Sequence, residues 1–527
     1  MTARKKRWLI GIAAVVVLVI AGVIVAASIL VRRFEPLIRQ QAVQYLEQRF
    51  HSDVELAALH IHLPKVSAWE MIWKRGRGVK VGVEGQGLSM RFGGMRDLPP
   101  LFSIRKFRFV VDLGSVLEPR KVVDSVTLDG MQINIPPKRD RPQISRGGGK
   151  NDGSSNTGVL IEQVQITNAV LLILPKDSSK EPLRFPIYNL RMNSEGSTTA
   201  MKYDASLLIP KPPGQVHSSG HFGPWAADEP GDSPLDGTYT FKNADLGVFR
   251  GIAGILQSTG TFDGTLDSIH ARGEATVPDF RLKMTGTPVP LHTNFEVLVD
   301  GTNGNTHLQP VRATLGSTAF TTTGAVIKHE ARDRRSVQLK VTMPNGDMRD
   351  LLRLAVKGSP FMEGRITMHS TIDIPPLSGK VAEKLRLDGA FRVDDSKFLR
   401  STIQDQIDKL SRKGQGQPEN QEIDEVVSDM SGSFHLENQV MTFRSLTFRV
   451  PGARVALAGN YDTDHDKVDF RGTLKLNATV SQTMTGWKRW VLKPVDPFFS
   501  KNGAGTFLKI KVDGDSRHPN FGLDHGA

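Results

Sequence analysis

Residues 126–135 read VTLDGMQINI. Val126 and Leu128 alternate with polar neighbours, the alternation steps at Gly130, and Met131, Ile133 and Ile135 resume it. A period of two puts successive side chains on opposite sides of an extended backbone, so this stretch predicts a strand with one apolar face. The same period recurs along the chain. Val54 and Leu56, then Leu59, Ile61 and Leu63, form one instance; Val164 and Ile166, followed by Asn168 and the run Val170 to Leu174, form another. Val337-Leu339-Val341-Met343, Ile366-Met368-Ser370-Ile372-Ile374, Leu385-Leu387-Gly389-Phe391-Val393 and Leu508-Ile510-Val512 repeat it, as does the set Phe443, Phe448, Val455, Leu457, Leu474 and Leu476 nearer the end. Strand-length pieces set off by Gly, Asn or Asp, with few helical patterns between them, predict a mainly β protein of antiparallel meanders and disfavour parallel α/β folds.

The chain has 527 residues, ample for a core, and its 39% hydrophobic residues together with 50 glycines place it in the ordinary globular range. It contains no cysteine, which excludes disulfides, thiolate metal sites, iron–sulfur clusters and thiol catalysis. The net charge of +13 suits an anionic partner. The cations are scattered over the polar positions of alternating strands, however, without the aromatic interleaving that a nucleic-acid surface needs, so no nucleic-acid partner is expected. Short basic clusters, Lys74-Arg75-Arg77 and Arg105-Lys106-Arg108, fit a surface that tolerates lipid headgroups.

Arg4, Lys5, Lys6 and Arg7 precede an uncharged run from Trp8 to Val31, followed by Arg32 and Arg33. At 1.5 Å per residue the run makes about 36 Å of helix, enough to span a bilayer with some tilt. Cations at both ends and Trp8 at one interface predict a retained single-pass anchor with a cytoplasmic tail (1–7) and the rest translocated. A cleaved signal peptide, ending near Val25-Ala26-Ala27, is the weaker reading, because the run exceeds a typical signal core.

Beyond the anchor (8–31), residues 34–145 read as a β region entered by an amphipathic helix over Glu35 to Phe50. RGGGKNDGSSNTG (146–158) reads as a flexible loop and 159–400 as a central β-sheet region, in which Asn243 to Leu256 predicts a short helix with a capping signal at Asn243 or Asp245. Ile403, Ile407 and Leu410, then GQGQPENQ, then Ile423, Val426, Val427 and Met430 predict a helical hairpin over 401–430 before a last β region, 431–527. Trp487, Trp490, Val491, Phe498 and Phe499 crowd one segment that closes the core or touches a membrane.

Motifs with defined chemistry are missing: no GxxxxGK[ST], GxGxxG, HExxH, EF-hand loop or GxSxG occurs. His60 and His62 share a strand face near His51 without acidic partners at ligand spacing, so they read as polar strand positions rather than a metal site. Asp394 and Asp395 are adjacent on a strand and point to opposite faces, which rules out joint acid–base work. No catalytic, cofactor or metal site is expected.

VTLDGMQINI, IEQVQITNAVLLILP, YTFKNADLGVFRGIAGILQSTGTFDGTL, MSGSFHLENQVMTFRSLTFRVPGARVALAGNYD, VDFRGTLKLNATVSQ and KIKVDGDSRHPNFGLD, with the entry segment RFEPLIRQQAVQYLEQRFHSDVEL, together resemble the AsmA-like proteins of bacterial envelopes, related to TamB. The resemblance covers most of the chain, including 34–145 and 431–527. It implies an elongated, curled antiparallel β-sheet with an open hydrophobic groove that holds acyl chains while the protein reaches from the inner membrane into the periplasm. A sheet with one apolar face and few covering helices must pair with another sheet or curl on itself, which agrees. At one strand per ~20 residues and ~4.8 Å per strand, the sheet would stack to roughly 120 Å. The groove candidates are Val126, Leu128, Met131, Ile133, Ile135, Val164, Ile166, Phe443, Phe448, Val455, Leu457, Leu474 and Leu476. The expected activity is movement of phospholipid or another acyl lipid between the membranes and outer-membrane homeostasis, with no covalent chemistry. The alternative is a periplasmic scaffold that assists outer-membrane protein assembly, its inner face filled by its own side chains. A hydrolase acting on envelope polymers is the least favoured class.

Overall fold

A computed structural model describes residues 39–40, 43–44, 47, 52–62, 80–92, 99–100, 102–112, 121–135, 159–174, 181–194, 200–224, 230–329, 334–399, 401–415, 426–477, 507–516 and 518–524. Trp8 to Val31, Arg32, Arg33, the loop 146–158 and the aromatic segment around Trp487 lie outside the described residues. Among the described residues no helix is long and apolar enough to cross a membrane. Arg39, Gln40, Val43, Gln44 and Glu47 are helical, within the expected entry helix.

The chain divides into two compact units, Met1–Pro210 with Gln215–Pro224, and Lys211–Gly214 with Trp225–Ala527. The division falls inside the stretch that the sequence reads as one central β region, not at 146–158. The first unit contains β1 (Ser52–His62), β2 (Lys80–Phe92), β3 (Phe102–Asp112), β4 (Lys121–Ile135), β5 (Val159–Ile173), β6 (Leu183–Ser194), β7 (Met201–Pro210) and most of β8 (Pro213–Phe222). Strands β1 to β7 pair in chain order. One pairing departs from the expected meander: β4 and β5 run parallel. Both strands are 15 residues long, about 50 Å at 3.3 Å per residue, and Ile135 and Val159 stand at opposite ends of the pair. Period-two alternation is identical in either direction, and nothing in the pattern itself betrays the crossover.

The second unit contains β9 (Pro234–Asp245), β10 (Ile252–Ala253), β11 (Ile255–Thr265), β12 (Ser268–Val277), β13 (Arg281–Leu282), β14 (Leu291–Val299), β15 (Thr306–Leu315), β16 (Thr318–His329) and β17 (Arg334–Asp347). Helix α1 (Met348–Ala355), β18 (Met362–Ile374), α2 (Val381–Lys384), β19 (Arg386–Phe398) and α3 (Ser401–Gln415) follow. Strands β20 (Ser428–Glu437), β21 (Val440–Val450), β22 (Ala453–Asp462), β23 (Lys467–Leu476), β24 (Phe507–Asp515) and β25 (His518–Leu523) complete it. Apart from the two-residue pair β10–β13, each strand from β9 to β25 pairs antiparallel with the next.

Two helical expectations are corrected. Asn243 to Leu256 is not a helix: β9 continues to Asp245, whose carboxylate caps a single 3-10 turn (Leu246–Val248) by accepting from Gly247 N at 2.7 Å. Gly251 and Gly254, the latter at φ +136°, then favour extended chain, so Ala253 is buried from a strand. The hairpin over 401–430 keeps its first arm as α3, but the second arm's Met430 lies in β20, paired with Val393 and Phe448. Sheet pairing on both sides outweighs a weak helical spacing there.

Helix α1 was not foreseen. Asp347 caps it, accepting from Arg349 N at 2.9 Å, and the buried Asp350 pins it to the turn before β16. Asp350 Oδ2 accepts from Ser317 N and Oγ, both at 2.8 Å, and from Thr318 Oγ1 at 3.0 Å. Removing the carboxylate takes the acceptor from the buried Thr318 hydroxyl and from the Ser317 N–H and hydroxyl and leaves a cavity at a buried position, so Asp350→Ala is expected to destabilise the second unit by ~2–4 kcal/mol, read from the urea midpoint.

Candidate functional site

Residues directly opposite each other in adjacent strands share a face, and by this register the apolar positions of the first unit form four rows across the sheet. Ile61, Val83, Phe109, Val126, Val164 and Met192 make the first; Leu59, Gly85, Phe107, Leu128, Ile166 and Leu190 the second. Leu56, Leu88, Ile104 and Met131 make the third, which Ala169 and Ile187 continue in the same packed cluster. Val54, Met90, Phe102, Ile133, Leu171 and Phe185 make the fourth. Thr127, Asp129, Gln132, Gln163 and Thr167 point the other way.

Between the second and third rows every strand spends three residues instead of two, as in Leu56 to Leu59, Gly85 to Leu88, Ile104 to Phe107, Leu128 to Met131 and Ile166 to Ala169. An odd step would flip the face. Left-handed residues Gly87 (φ +64°), Gly130 (φ +66°) and Asn168 (φ +53°) absorb it, so the face stays apolar across a line of aligned bulges. Asp129 fastens that line from the polar side: it accepts from Arg105, from Asn168 Nδ2 at 2.8 Å and from Thr167 Oγ1 at 3.3 Å. The Asn168 and Arg105 hydrogen bonds hold its pKa below the ordinary 3.8. The latch is therefore fully present above about pH 4 and is lost as pH falls through the lowered value. A Cβ at Gly130 would stand 3.0 Å from Arg105 Cβ, and left-handed backbone disfavours a branched side chain. Gly130→Val should cost ~1–2 kcal/mol or more, with Gly130→Asn milder, by equilibrium denaturation.

Strands β20 to β24 of the second unit also set their apolar positions in rows, without the line of aligned bulges. Phe434, Phe443, Gly459, Phe470 and Val512 lie in one row; Gly432, Leu446, Leu457, Gly472 and Ile510 in the next; Met430, Phe448, Val455, Leu474 and Leu508 in a third; Val450, Ala453 and Leu476 in a fourth. Glycines on this face sit opposite aromatics: a Cβ at Gly389 would come within 2.6 Å of the Phe434 ring and one at Gly432 within 3.1 Å of Phe391. The rings lie across the glycines and keep that part of the face smooth.

Burial along these faces is uneven. In β17 to β19, Met343, Ile366 and Val393 are buried beneath Met348 and Leu351 of α1, whereas Val337, Leu339, Ile372, Ile374 and Leu387 further along the same strands are only half-buried. Helix α3 seals another stretch, where Ile407 and Leu410 pack on Val450, Ala453 and Leu476. At one rim of the first unit the paired Ile173 and Leu183 are 37% and 44% exposed.

All thirteen groove candidates lie on strands, and the twelve with described side chains fall on the apolar face of their own unit. Val126, Leu128, Ile133, Val164, Phe443, Phe448, Leu457 and Leu474 are half-buried. Met131, Ile166, Val455 and Leu476 are buried, covered by cross-strand neighbours and, for Leu476, by helix α3. Ile135 pairs through its backbone with Ile173, and its side chain lies outside the described set. Leu88, Phe107, Phe109 and Leu446 belong to the same faces and were not singled out from the sequence; the three-residue steps are the signal that would have found them.

Among the described residues no three His, Asp or Glu side chains could hold a metal. His60 and His62 are exposed on β1 and His51 lies outside the described residues. Asp394 and Asp395 each meet an arginine, Arg392 and Arg365, both at 2.6 Å. Arg105 and Lys106 likewise meet Asp129 and Glu84. No family model, curated protein or solved structure matches the chain.

Proposed function

We propose that the chain is an AsmA-like envelope protein, anchored in the bacterial inner membrane by residues 8–31, whose periplasmic strands shield lipid acyl chains on their apolar faces and so contribute to phospholipid transport and outer-membrane homeostasis. What carries the reading is the apolar face of each unit, long stretches of which are only half-buried. A large exposed apolar surface costs about 25 cal/mol per Å² when left in water, and acyl chains remove that cost without needing directed polar contacts. The opposite face, lined by paired charges, stays in water.

Mass spectrometry of lipids co-purifying with the full chain in mild detergent tests this. Diacyl lipid in stoichiometric amount is expected; a preparation free of lipid would contradict it. The sealed clusters under α1 and α3 favour a second reading, a scaffold for outer-membrane protein assembly packed by its own side chains, and that reading predicts the lipid-free result.

A further inference from the structure

At one rim of the second unit three cations from separate segments converge. Lys384 of α2 and Arg334 at the start of β17 both donate to the carbonyl oxygen of Leu377, Lys384 Nζ at 2.9 Å and Arg334 Nη1 at 3.3 Å. Arg250, in the loop between β9 and β10, is near enough to act electrostatically on Lys384. That loop abuts α2, since a Cβ at Gly251 would stand 3.7 Å from Val381. Burial, then Arg334 and Arg250, push the Lys384 pKa down, so the three charges feel one another. Among the described residues no carboxylate forms an ion pair with any of them; the adjacent Glu383 turns to Lys380, accepting from its backbone N at 3.1 Å. Elsewhere in the unit several arginines do meet a carboxylate, as with Arg365–Asp395, Arg386–Glu437 and Arg392–Asp394.

Gathering like charges without a counter-charge is unfavourable unless an anion joins them. The position indicates which anion. Leu377, 42% exposed, stands at the rim, and the cross-strand pair Val337–Ile374 begins the half-buried apolar stripe of β17 and β18 just inside it. A ligand with a charged group at the rim and an apolar tail along the stripe would satisfy both.

We propose that Arg250, Arg334 and Lys384 bind a phosphate group, that of an anionic phospholipid whose acyl chains lie on the adjoining stripe; this rests on the acyl-chain reading above. Phosphate takes several N–H donors at once, and Arg334 can offer it the edge of its guanidinium that Leu377 does not occupy.

The test is a titration of the full chain, in nonionic detergent, with dihexanoyl phosphatidylglycerol, dihexanoyl phosphatidylcholine and inorganic phosphate. The phosphatidylglycerol is expected to bind about tenfold more tightly than the phosphatidylcholine. Arg334→Gln and Lys384→Gln should erase that difference and leave the phosphatidylcholine affinity unchanged, whereas Lys340→Gln, six residues further along β17 from Arg334, should preserve it. Because the substitutions relieve repulsion, neither should lower the melting temperature in phosphate-free buffer, which separates lost binding from lost folding. Inorganic phosphate binding as tightly as the phosphatidylglycerol, and failing with Arg334→Gln, would keep the site and make free phosphate its ligand. Equal binding of the two lipids by the unaltered chain would overturn the site but spare the acyl-chain reading; no binding of either would overturn both.

Discussion

Leu457→Asp should leave the protein folded and strip it of lipid. Leu457 is half-buried between Leu446 and Gly472 on the apolar face of β22, so a carboxylate there keeps partial access to water and costs the fold only ~1–2 kcal/mol. With an acyl chain seated on the face the same carboxylate loses that water, a penalty of several kcal/mol, and co-purified lipid should fall by about tenfold or more. Ala458→Asp is the control: the residue is exposed on the opposite face, across from Arg471, and the new charge should change neither stability nor lipid content. Equal lipid loss in both variants would remove the distinction between the faces.

Val393→Asp should do the opposite, unfolding the second unit whether or not lipid is present. Val393 is 0% exposed, between Ile366 and Met430 and close to α1. An unpaired charge in that position costs ~3–5 kcal/mol, a large share of the stability of a domain, and the change should appear as loss of cooperative thermal unfolding. Val393→Ala should be milder, because it leaves only a small cavity. Together the two sites separate apolar positions that hold the sheet from those that can meet a ligand.

The strands were legible because each must hide one side: Ile366, Met368, Ile372 and Ile374 announce β18 by alternation alone. The aligned bulges were half legible. Gly130 marked a step in β4, but only the register reveals that Gly87 and Asn168 make the same step beside it. Strand direction was not legible, as β4 and β5 demonstrate, and neither was α1, whose eight residues are too few to outweigh the strand pattern before them. Burial along a strand was hidden for a further reason. Leu474 and Leu476 look alike in sequence, and what makes Leu476 the more deeply buried is α3, contributed from some sixty residues earlier.

Photo-crosslinking from paired positions tests the central claim most directly, with benzoylphenylalanine placed in the full-length protein in its membrane at Ile133 or Gln132 in the first unit, and at Leu457 or Ala458 in the second. Each pair consists of neighbours on one strand that face opposite ways, so the two probes of a pair differ chiefly in the face they report. Lipid adducts at Ile133 and Leu457, and none at Gln132 and Ala458, are the predicted result; equal labelling of both faces, or no lipid adduct at any of the four, would contradict the claim that these apolar faces carry lipid.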